Sequence, residues 1–429
     1  VPRIEVGDPV FNAAETLRLA QEGAALHAGL MLFPELGISA YAIDDLLMQD
    51  ALLEAVERAI GQIREASHGL YPVLAIGAPL RHAGRLYNCA VVIHRGKLLG
   101  VVPKTYLPNY REFYERRHFN SGAGVRGETI VVAGEAAPFG TDLLFRSHGS
   151  VPFVFHAEIC QDIWLAGAEV LLNLSASNIV IGKAETRRLL CASQSVTASA
   201  AYAYSAAGPG ESTTDLAWDG HAAVFELGET LAESERFPQG SIFITADVDL
   251  GRIRQERMRL NTFGDCAREA ARSGPAFRTA AFTLDAPDAD VPLRRAIERF
   301  PFVPSDPAKL ADNCYEAYSI QIQGLAKRLQ ATKSEHAIIG VSGGLDSTQA
   351  LIVATRAMDQ LGLPRKNVLA YTLPGFATSD NTKSNAWALM RALGVTAAEI
   401  DIRPAARQIL GDLGHPFAAG KPVYDVTFE

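Results

Sequence analysis

The stretch Ile338–Thr348, read Ile-Ile-Gly-Val-Ser-Gly-Gly-Leu-Asp-Ser-Thr, allows few folds around it. The apolar run Ala337-Ile338-Ile339 leads into Gly340-Val341 and predicts a buried parallel strand. Ser342-Gly343-Gly344 then forms a turn with little side-chain bulk. Asp346-Ser347 opens a helix, because Leu351, Ile352 and Ala354 follow at helical spacing. A glycine turn between strand and helix presents free backbone N–H groups and a positive helix end, which suit phosphate. The ATP-hydrolysing P-loop needs G-x-x-x-x-G-K-[ST], and no lysine follows Gly344. No side chain is therefore placed to reach a γ-phosphate as in that motif. An ordinary glycine turn before a core helix is the other reading. The coincidence of Ser, two Gly, Asp and Ser in this context argues against it.

Length and charge bound the remainder. With 429 residues the chain has room for two or three domains, each with its own core. A net charge of −8 argues against nucleic acid or an anionic membrane as the main partner. Cys89, Cys160, Cys191, Cys266 and Cys314 are scattered and form no C-x-x-C pair, which fits a reducing compartment and gives no zinc signal. No apolar run reaches membrane-spanning length, and no charged-then-apolar leader is read at the start, so a cytoplasmic protein is expected.

The first part of the chain alternates strands and helices. Helices are expected over 12–27, 51–66 and 184–200. Strands are expected over 30–33, 73–76, 89–94, 98–102, 153–157, 170–174, 201–207, 222–227 and 242–248. Residues 286–308 carry Pro287, Pro292, Pro301, Pro304 and Pro307 and read as a linker between domains 1–285 and 309–429. Beyond it, Tyr315, Tyr318, Ile322, Leu325 and Leu329 form a helical stripe, and strands are expected over 338–341, 368–371 and 398–402. Gly122-Ala123-Gly124-Val125-Arg126-Gly127 fits the spelling G-x-G-x-x-G, but no strand precedes it and no apolar helix follows, so it is a decoy.

Three reactive residues each follow a strand-like run: Glu35 after Leu32-Phe33-Pro34, Lys104 after Val101-Val102-Pro103, and Cys160 after residues 153–159. Side chains at strand ends in α/β proteins converge on one edge of the sheet. Singly, each has a plain reading: a small core thiol, a cap or surface carboxylate, a solvated lysine. Together they offer a nucleophile, a base and a cation. A nearby ammonium lowers a thiol pKa, and Glu35 could take its proton and later activate water. Lys104 and the backbone N–H of Gln161 could stabilise an oxyanion. Such a trio suits C–N bond cleavage through a thioester.

Phe33-Pro34-Glu35-Leu36, Pro103-Lys104-Thr105-Tyr106-Leu107-Pro108 and Glu158-Ile159-Cys160-Gln161-Asp162 resemble the three catalytic blocks of the nitrilase superfamily. Joined to the Ser-Gly-Gly-Leu-Asp-Ser loop, they resemble the bacterial glutamine-dependent NAD synthetases over nearly the whole chain. The resemblance implies an α/β protein: a nitrilase-like α-β-β-α sandwich, then a doubly wound parallel-sheet nucleotide-binding domain. It also implies a first strand before Val1 and further strands after Glu429, which would leave the second domain incomplete here.

The same resemblance implies residue roles. Cys160 would be the glutaminase nucleophile, Glu35 the general base and Lys104 the third member. Glu115 would be a supporting carboxylate, although beside Arg116 and Arg117 it also reads as a solvated helix charge. Tyr110, Ser177 and Lys183 match glutamine-binding positions; Lys183 would give a point charge where an arginine fork can stand in relatives. Ser177 also reads as a loop-shaping residue. Gly340, Val341, Ser342, Gly343, Gly344, Leu345, Asp346 and Ser347 would hold the ATP phosphates, with Asp346 a Mg²⁺ ligand.

The implied reaction hydrolyses glutamine at Cys160, adenylates the carboxylate of deamido-NAD with ATP, and lets ammonia displace AMP. An enclosed ammonia passage and a homo-oligomer are expected on the same ground. Gln161 departs from the Glu usual in the family. The family's Pro-rich loop is absent between Trp164 and Leu165. The alternative is another nitrilase-type amidohydrolase or amidotransferase with an ATP-pyrophosphatase domain. Asparagine- and GMP-forming amidotransferases use other glutaminase folds. A non-enzymatic relative would have lost the trio.

Overall fold

A computed structural model of the chain describes residues 1–158, 166–213, 216–274, 276–376 and 378–428. They form two units, Val1–Ala296 and Ile297–Glu429, and the division falls inside the segment expected to be a linker.

In the first unit, helix α1 (Pro9–Ala25) begins three residues earlier than expected. Pro9 suits a first helical turn, and the Asp8 carboxylate accepts from the N–H groups of Val10 and Phe11. The short strand β1 (Leu30–Leu32) and helix α2 (Asp50–Ala66) follow. Strands β2 (Val73–His82), β3 (Arg85–His94) and β4 (Lys97–Pro103) run longer than the apolar cores that announced them. Their turns use Gly84 at φ +73° and Gly96 at φ +80°. The hairpin β5 (Glu128–Val132) and β6 (Glu135–Phe139) completes a six-stranded sheet in the order β1-β2-β3-β4-β6-β5.

The second sheet contains β7 (Leu143–His148), β8 (Val154–Glu158), β9 (Val170–Ser175), β10 (Ala201–Ala206), β11 (Ala222–Glu226), β12 (Glu229–Glu233) and β13 (Arg278–Thr283). Its order is β12-β11-β10-β9-β8-β7-β13. Helix α3 (Lys183–Thr197) lies between β9 and β10 in sequence, and α4 (Leu250–Arg259) and α5 (Asn261–Ser273) precede β13.

Alternation along β3 shows how the layers stack. Cys89, Val91 and Ile93 face a core shared with Leu19 of α1 and Val56, Ile60 and Ile63 of α2. Ala90 and Val92 face the opposite core, shared with Phe145, Phe155 and Leu172 of the second sheet. The outer face of that sheet packs Leu171, Tyr202 and Phe225 with Cys191 of α3. The unit is therefore an α-β-β-α sandwich with an apolar layer between its sheets.

The strand expected over 242–248 is not formed. Ile242 exchanges backbone hydrogen bonds with Val1, and no ladder continues from it among the described residues.

The second unit contains α6 (Pro307–Thr332), β14 (Ala337–Gly340), α7 (Leu345–Leu361), β15 (Val368–Thr372), α8 (Asp380–Leu393), β16 (Thr396–Glu399) and α9 (Arg403–Asp412). The three strands pair in parallel in the order β14-β15-β16. The third strand begins at Thr396 and ends at Glu399, not over 398–402. Leu351, Ala354 and Met358 of α7 pack on Val368 and Ala370 of β15, with Ala386 and Met390 of α8 and Ala326 and Leu329 of α6. Burial of β14 is one-sided: Ile338 is 74% exposed, so the strand is parallel as expected but not buried on both faces among the described residues.

Candidate functional site

Glu35 sits just past β1, where the chain turns sharply. Phe33 N–H bonds Ala75 O at 2.9 Å and Ile38 N–H bonds Gly77 O at 3.2 Å, so the turn lies flat on β2. A Cβ at Gly77 would come within 2.4 Å of Leu36 N and 2.5 Å of Pro34 O, so the close approach requires glycine. Leu36 occupies the left-handed region at φ +51°, a strained conformation for a leucine, directly after Glu35. Lys104 directly follows β4. Its N–H donates to Asn88 O at 2.8 Å, and its carbonyl accepts from Gly122 N–H at 2.8 Å. The decoy glycine Gly122 thus has a structural use: a Cβ there would meet Pro103 O at 2.7 Å.

These two elements bring Glu35 and Lys104 together in the interior. Lys104 Nζ donates to Glu35 Oε1 at 2.6 Å and to Glu115 Oε1 at 2.8 Å. Lys104 is 3% exposed, Glu35 2% and Glu115 6%. Glu115 is therefore no solvated helix charge, although Arg116 and Arg117 beside it are exposed. Asn88 Nδ2 donates to Glu35 Oε1 at 2.5 Å, and Ala176 N–H donates to Glu35 Oε2 at 2.8 Å. The Tyr41 hydroxyl donates to Glu115 Oε1 at 2.6 Å. Among the described residues, the buried Oε2 of Glu115 has no hydrogen-bond partner.

One ammonium is shared by two buried carboxylates and cannot by itself neutralise both. Burial, and then the neighbouring Glu35 charge, push Glu115 up to about 7 against the pull of Lys104 and Tyr41. A buried cation fixed from two sides is a preorganised donor for a developing oxyanion. A carboxylate that also accepts from an amide side chain and a backbone N–H is fixed for proton transfer. Cys160 and Gln161 lie outside the described residues.

The residues expected to hold glutamine lie on two segments. Tyr110 is 63% exposed, and its ring centroid is 6.0 Å from that of Phe113. Lys183, the first residue of α3, is half-buried; its Nζ lies 5.9 Å over the Phe113 ring and donates to Asn178 Oδ1 at 2.8 Å. Desolvation lowers its pKa from the ordinary lysine value. Asn178 Nδ2 in turn donates to Glu112 Oε1 at 2.6 Å. Ser177 N–H bonds Ser175 Oγ at 3.2 Å, and Ser177 O accepts from Arg187 Nη2 at 3.2 Å. Arg187 also pairs with the buried Asp219 at 2.8 Å.

Sequence reasoning missed Asn88, Tyr41, Asn178, Glu112 and Arg187. A polar Asn88 within the apolar run of β3 was a signal that could have been used; for the others, spacing alone holds none. One cavity of this unit, about 460 Å³, is lined by Leu30, Leu172 and Ile244 together with polar residues such as Asp247 and Arg294, and does not include Glu35, Lys104 or Glu115.

In the second unit, the glycine loop has the expected form. Val341 N–H bonds Tyr371 O at 2.8 Å and ends the strand. Gly343 is at φ +86°, and a Cβ there would come within 2.2 Å of Thr382 O. Ser342 Oγ and Ser347 Oγ are 3.1 Å apart; Gly344 N–H donates to Ser342 Oγ at 3.2 Å, and Ser347 Oγ donates to Gly344 O at 3.1 Å. The serines thus brace the loop across the start of α7. Ser342, Gly344, Leu345 and Asp346 are exposed, and Asp346 lies in the first turn of α7. Backbone N–H groups, a helix N-terminus and small side chains leave the site open to an anion.

Comparison with known proteins accords with both halves. The carbon-nitrogen hydrolase family model matches residues 7–258, and the NAD synthase model matches residues 318–417. The glutamine-dependent NAD(+) synthetase of Mycobacterium tuberculosis (strain ATCC 25618 / H37Rv) is 55% identical over 434 residues, which cover 99% of this chain and 64% of that protein. That of Mycobacterium leprae (strain TN) is 54% identical over 434 residues, with the same 99% and 64% coverage. The chain thus spans 64% of the length of these curated relatives. A crystal structure of a glutamine-dependent NAD(+) synthetase from Cytophaga hutchinsonii superposes with a TM-score of 0.53 at 19% identity, covering 99% of this chain and 67% of that one, a likeness of fold. With the match over residues 7–258 spanning more than half of the 429 residues, the chain belongs to the carbon-nitrogen hydrolase family.

Proposed function

We propose that the protein is a glutamine-hydrolysing NAD⁺ synthase: it amidates deamido-NAD to NAD with ATP, using ammonia released from glutamine. The observation that carries this is the Lys104 ammonium held between Glu35 and Glu115, on a chain that also bears the braced glycine loop. The 55% identical relatives favour this reaction over another amidohydrolase.

In the first half-reaction the Cys160 thiol gives its proton to Glu35, and the sulfur attacks the side-chain amide carbon of glutamine. Lys104 and the backbone N–H of Gln161 stabilise the oxyanion. Collapse breaks the C–N bond, and Glu35 returns the proton to the departing ammonia. A water then gives its proton to Glu35 and attacks the thioester, releasing glutamate and the thiol. Glu115 keeps Lys104 in place. Lys183 faces the substrate carboxylate, with Tyr110 and Ser177 shaping the rest of that subsite.

In the second half-reaction, the deamido-NAD carboxylate attacks the α-phosphorus of ATP and expels pyrophosphate. Ammonia then attacks the acyl adenylate, loses a proton and expels AMP. The loop Gly340–Ser347 would grip the leaving pyrophosphate. The absence of a P-loop lysine agrees with a bond broken between the α and β phosphates. Mg²⁺ is usually held by phosphates, waters and one or two carboxylates. Exposed in the first turn of α7, Asp346 fits as such a ligand. Among the described residues no cluster of three or more His, Cys, Asp or Glu forms a ready-made metal cage. When bound, the ion would neutralise phosphate charge.

We further take the protein to be a cytoplasmic homo-oligomer. Among the described residues no helix is long and apolar enough to cross a membrane.

The test is an assay of the intact protein with deamido-NAD and ATP plus either glutamine or ammonium, following NAD and AMP. NAD and AMP formed in equal amounts from either nitrogen source are expected. Glutamine hydrolysis with no AMP under any condition would favour a simple amidohydrolase.

A further inference from the structure

Among the described buried carboxylates of the first unit that the mechanism does not use, Glu211 shares a partner with its centre. Glu211 lies in the loop joining β10 to β11 and is 8% exposed. Its oxygens accept from Tyr41 N–H at 2.9 and 3.1 Å, and the backbone N–H groups of Ala42 and Ser212 also favour its charged form. The hydroxyl of the same Tyr41 donates at 2.6 Å to Glu115 Oε1, the oxygen that also receives the Lys104 ammonium. We infer that Glu211 is a positioning residue for the glutamine-hydrolysing centre, acting through Tyr41 and Glu115 on Lys104; the inference rests on the glutaminase reading proposed above.

Tyr41 is held at its ring as well as its backbone. The ring meets Trp218 edge-on at 5.5 Å between centroids, and the Trp218 indole N–H donates to Ser212 O at 2.7 Å. Both grips on Tyr41 therefore come from one loop. That loop is itself fixed at its ends. Gly210, at φ +91°, passes so close to the N-terminal segment that a Cβ would fall 1.8 Å from Ile4 O. At the far end Asp219 accepts two bonds from Arg187, at 3.0 and 2.8 Å, and Arg187 reaches Ser177 O. Ala176, next to Ser177, donates to Glu35. Described residues of the loop are thus linked to Glu115 through Tyr41, and to the segment that bonds Glu35 through Arg187.

An ionised carboxylate suits the converging N–H donors, because a glutamine would turn its NH₂ toward at least one of them. Burial pushes Glu211 up to about 7, while the three N–H donors favour its charge and Glu35 opposes it. Glu35 is the charged group that bears on it directly; Glu115 and Lys104 are reached through Tyr41.

The experiment compares Tyr41→Phe, Glu211→Gln and the double variant in the intact protein, measuring glutamate release from glutamine against pH. Each single change is expected to lower kcat about 10- to 100-fold, with KM for glutamine altered less than about threefold, the range for lost preorganisation. The double variant should be no slower than about twofold below the worse single one, because both changes break the same line. Glu211→Gln removes a carboxyl that ionises at about 7 and braces Tyr41 in that form, so the acid limb of kcat/KM should lose that ionisation and move to lower pH. A merely structural role would reduce folded protein and leave that limb in place. Tyr41→Phe keeps the ring on Trp218 and serves where Glu211→Gln does not fold.

Wild-type kcat in Tyr41→Phe, or strictly additive losses with an unmoved limb, would overturn the inference while leaving the glutaminase function standing. A wild-type protein that releases no glutamate would overturn both.

Discussion

Replacing Lys104 by methionine tests the buried centre most searchingly, because the side chain is nearly isosteric and the charge is lost. In the native protein the ammonium bonds Glu35 at 2.6 Å and Glu115 at 2.8 Å, with all three groups 6% exposed or less. Its removal takes from the two buried carboxylates the cation they share. Breaking a buried ion pair by deleting one partner costs about 3–5 kcal/mol. The cost should depend on pH with a definite sign. Glu115 has a folded pKa of about 7 against an ordinary 4.5. The folded state therefore binds more protons than the unfolded state between those values, and stability falls as pH rises through that window. A shift of that size corresponds to about 3 kcal/mol. Without Lys104 the folded pKa rises further, so the variant loses most at high pH and recovers part of the loss once the carboxylate protonates. Thermal unfolding of both proteins at about pH 5.5 and pH 8.5 reads this out. The expected result is a midpoint lowered by several degrees at the higher pH and by clearly less at the lower. A variant as stable as wild type at high pH, or a deficit that does not shrink on acidification, would refute the shared-cation account.

Three further outcomes follow from other parts of the molecule. Gly343→Ala should abolish AMP release while sparing glutamine hydrolysis, because its Cβ would lie 2.2 Å from Thr382 O at a φ of +86°; ATP-dependent pyrophosphate release checks it. Asp346→Ala should suppress AMP formation at least tenfold, in line with a lost metal or phosphate contact, and leave glutamate release intact; the two products are measured in one reaction. Lys183→Met should raise KM for glutamine about 10- to 100-fold with a smaller change in kcat, as expected for a charge contact to the substrate carboxylate made equally in ground and transition states; steady-state glutaminase kinetics decide it.

The glycine loop was legible in the sequence because its chemistry is local. Strand, turn and helix signals occur within eleven residues, from Ile338 to Thr348, and the turn forms as those signals require. Glu35 and Lys104 were legible for a related reason: each follows an apolar strand, and strand ends converge. Burial of Glu115 was not legible, because its immediate neighbours Arg116 and Arg117 are exposed and the partners that hold it, Tyr41 and Lys104, are not its neighbours in sequence. The hairpin Glu128–Phe139 was missed because its burial is confined to alternate residues in a stretch containing Pro138 and two glutamates. Helices α4 and α5 were missed for the opposite reason: their many Arg and Glu residues leave Ile253 as the buried residue of α4 among the described ones. The apolar run over 242–248 looked like a strand, but apolar character does not supply the neighbouring strand that a ladder needs. Glu211 and Tyr41 are 170 residues apart, and no spacing rule connects them.

We propose a division of labour between a nitrogen-releasing centre in the first unit and an adenylating loop in the second. Cys160→Ala tests it most directly, with NAD formation measured from glutamine and, separately, from ammonium. Loss of glutamine-dependent NAD formation with ammonium-dependent formation retained is the predicted result. Equal loss of both activities, or equal retention of both, would contradict it.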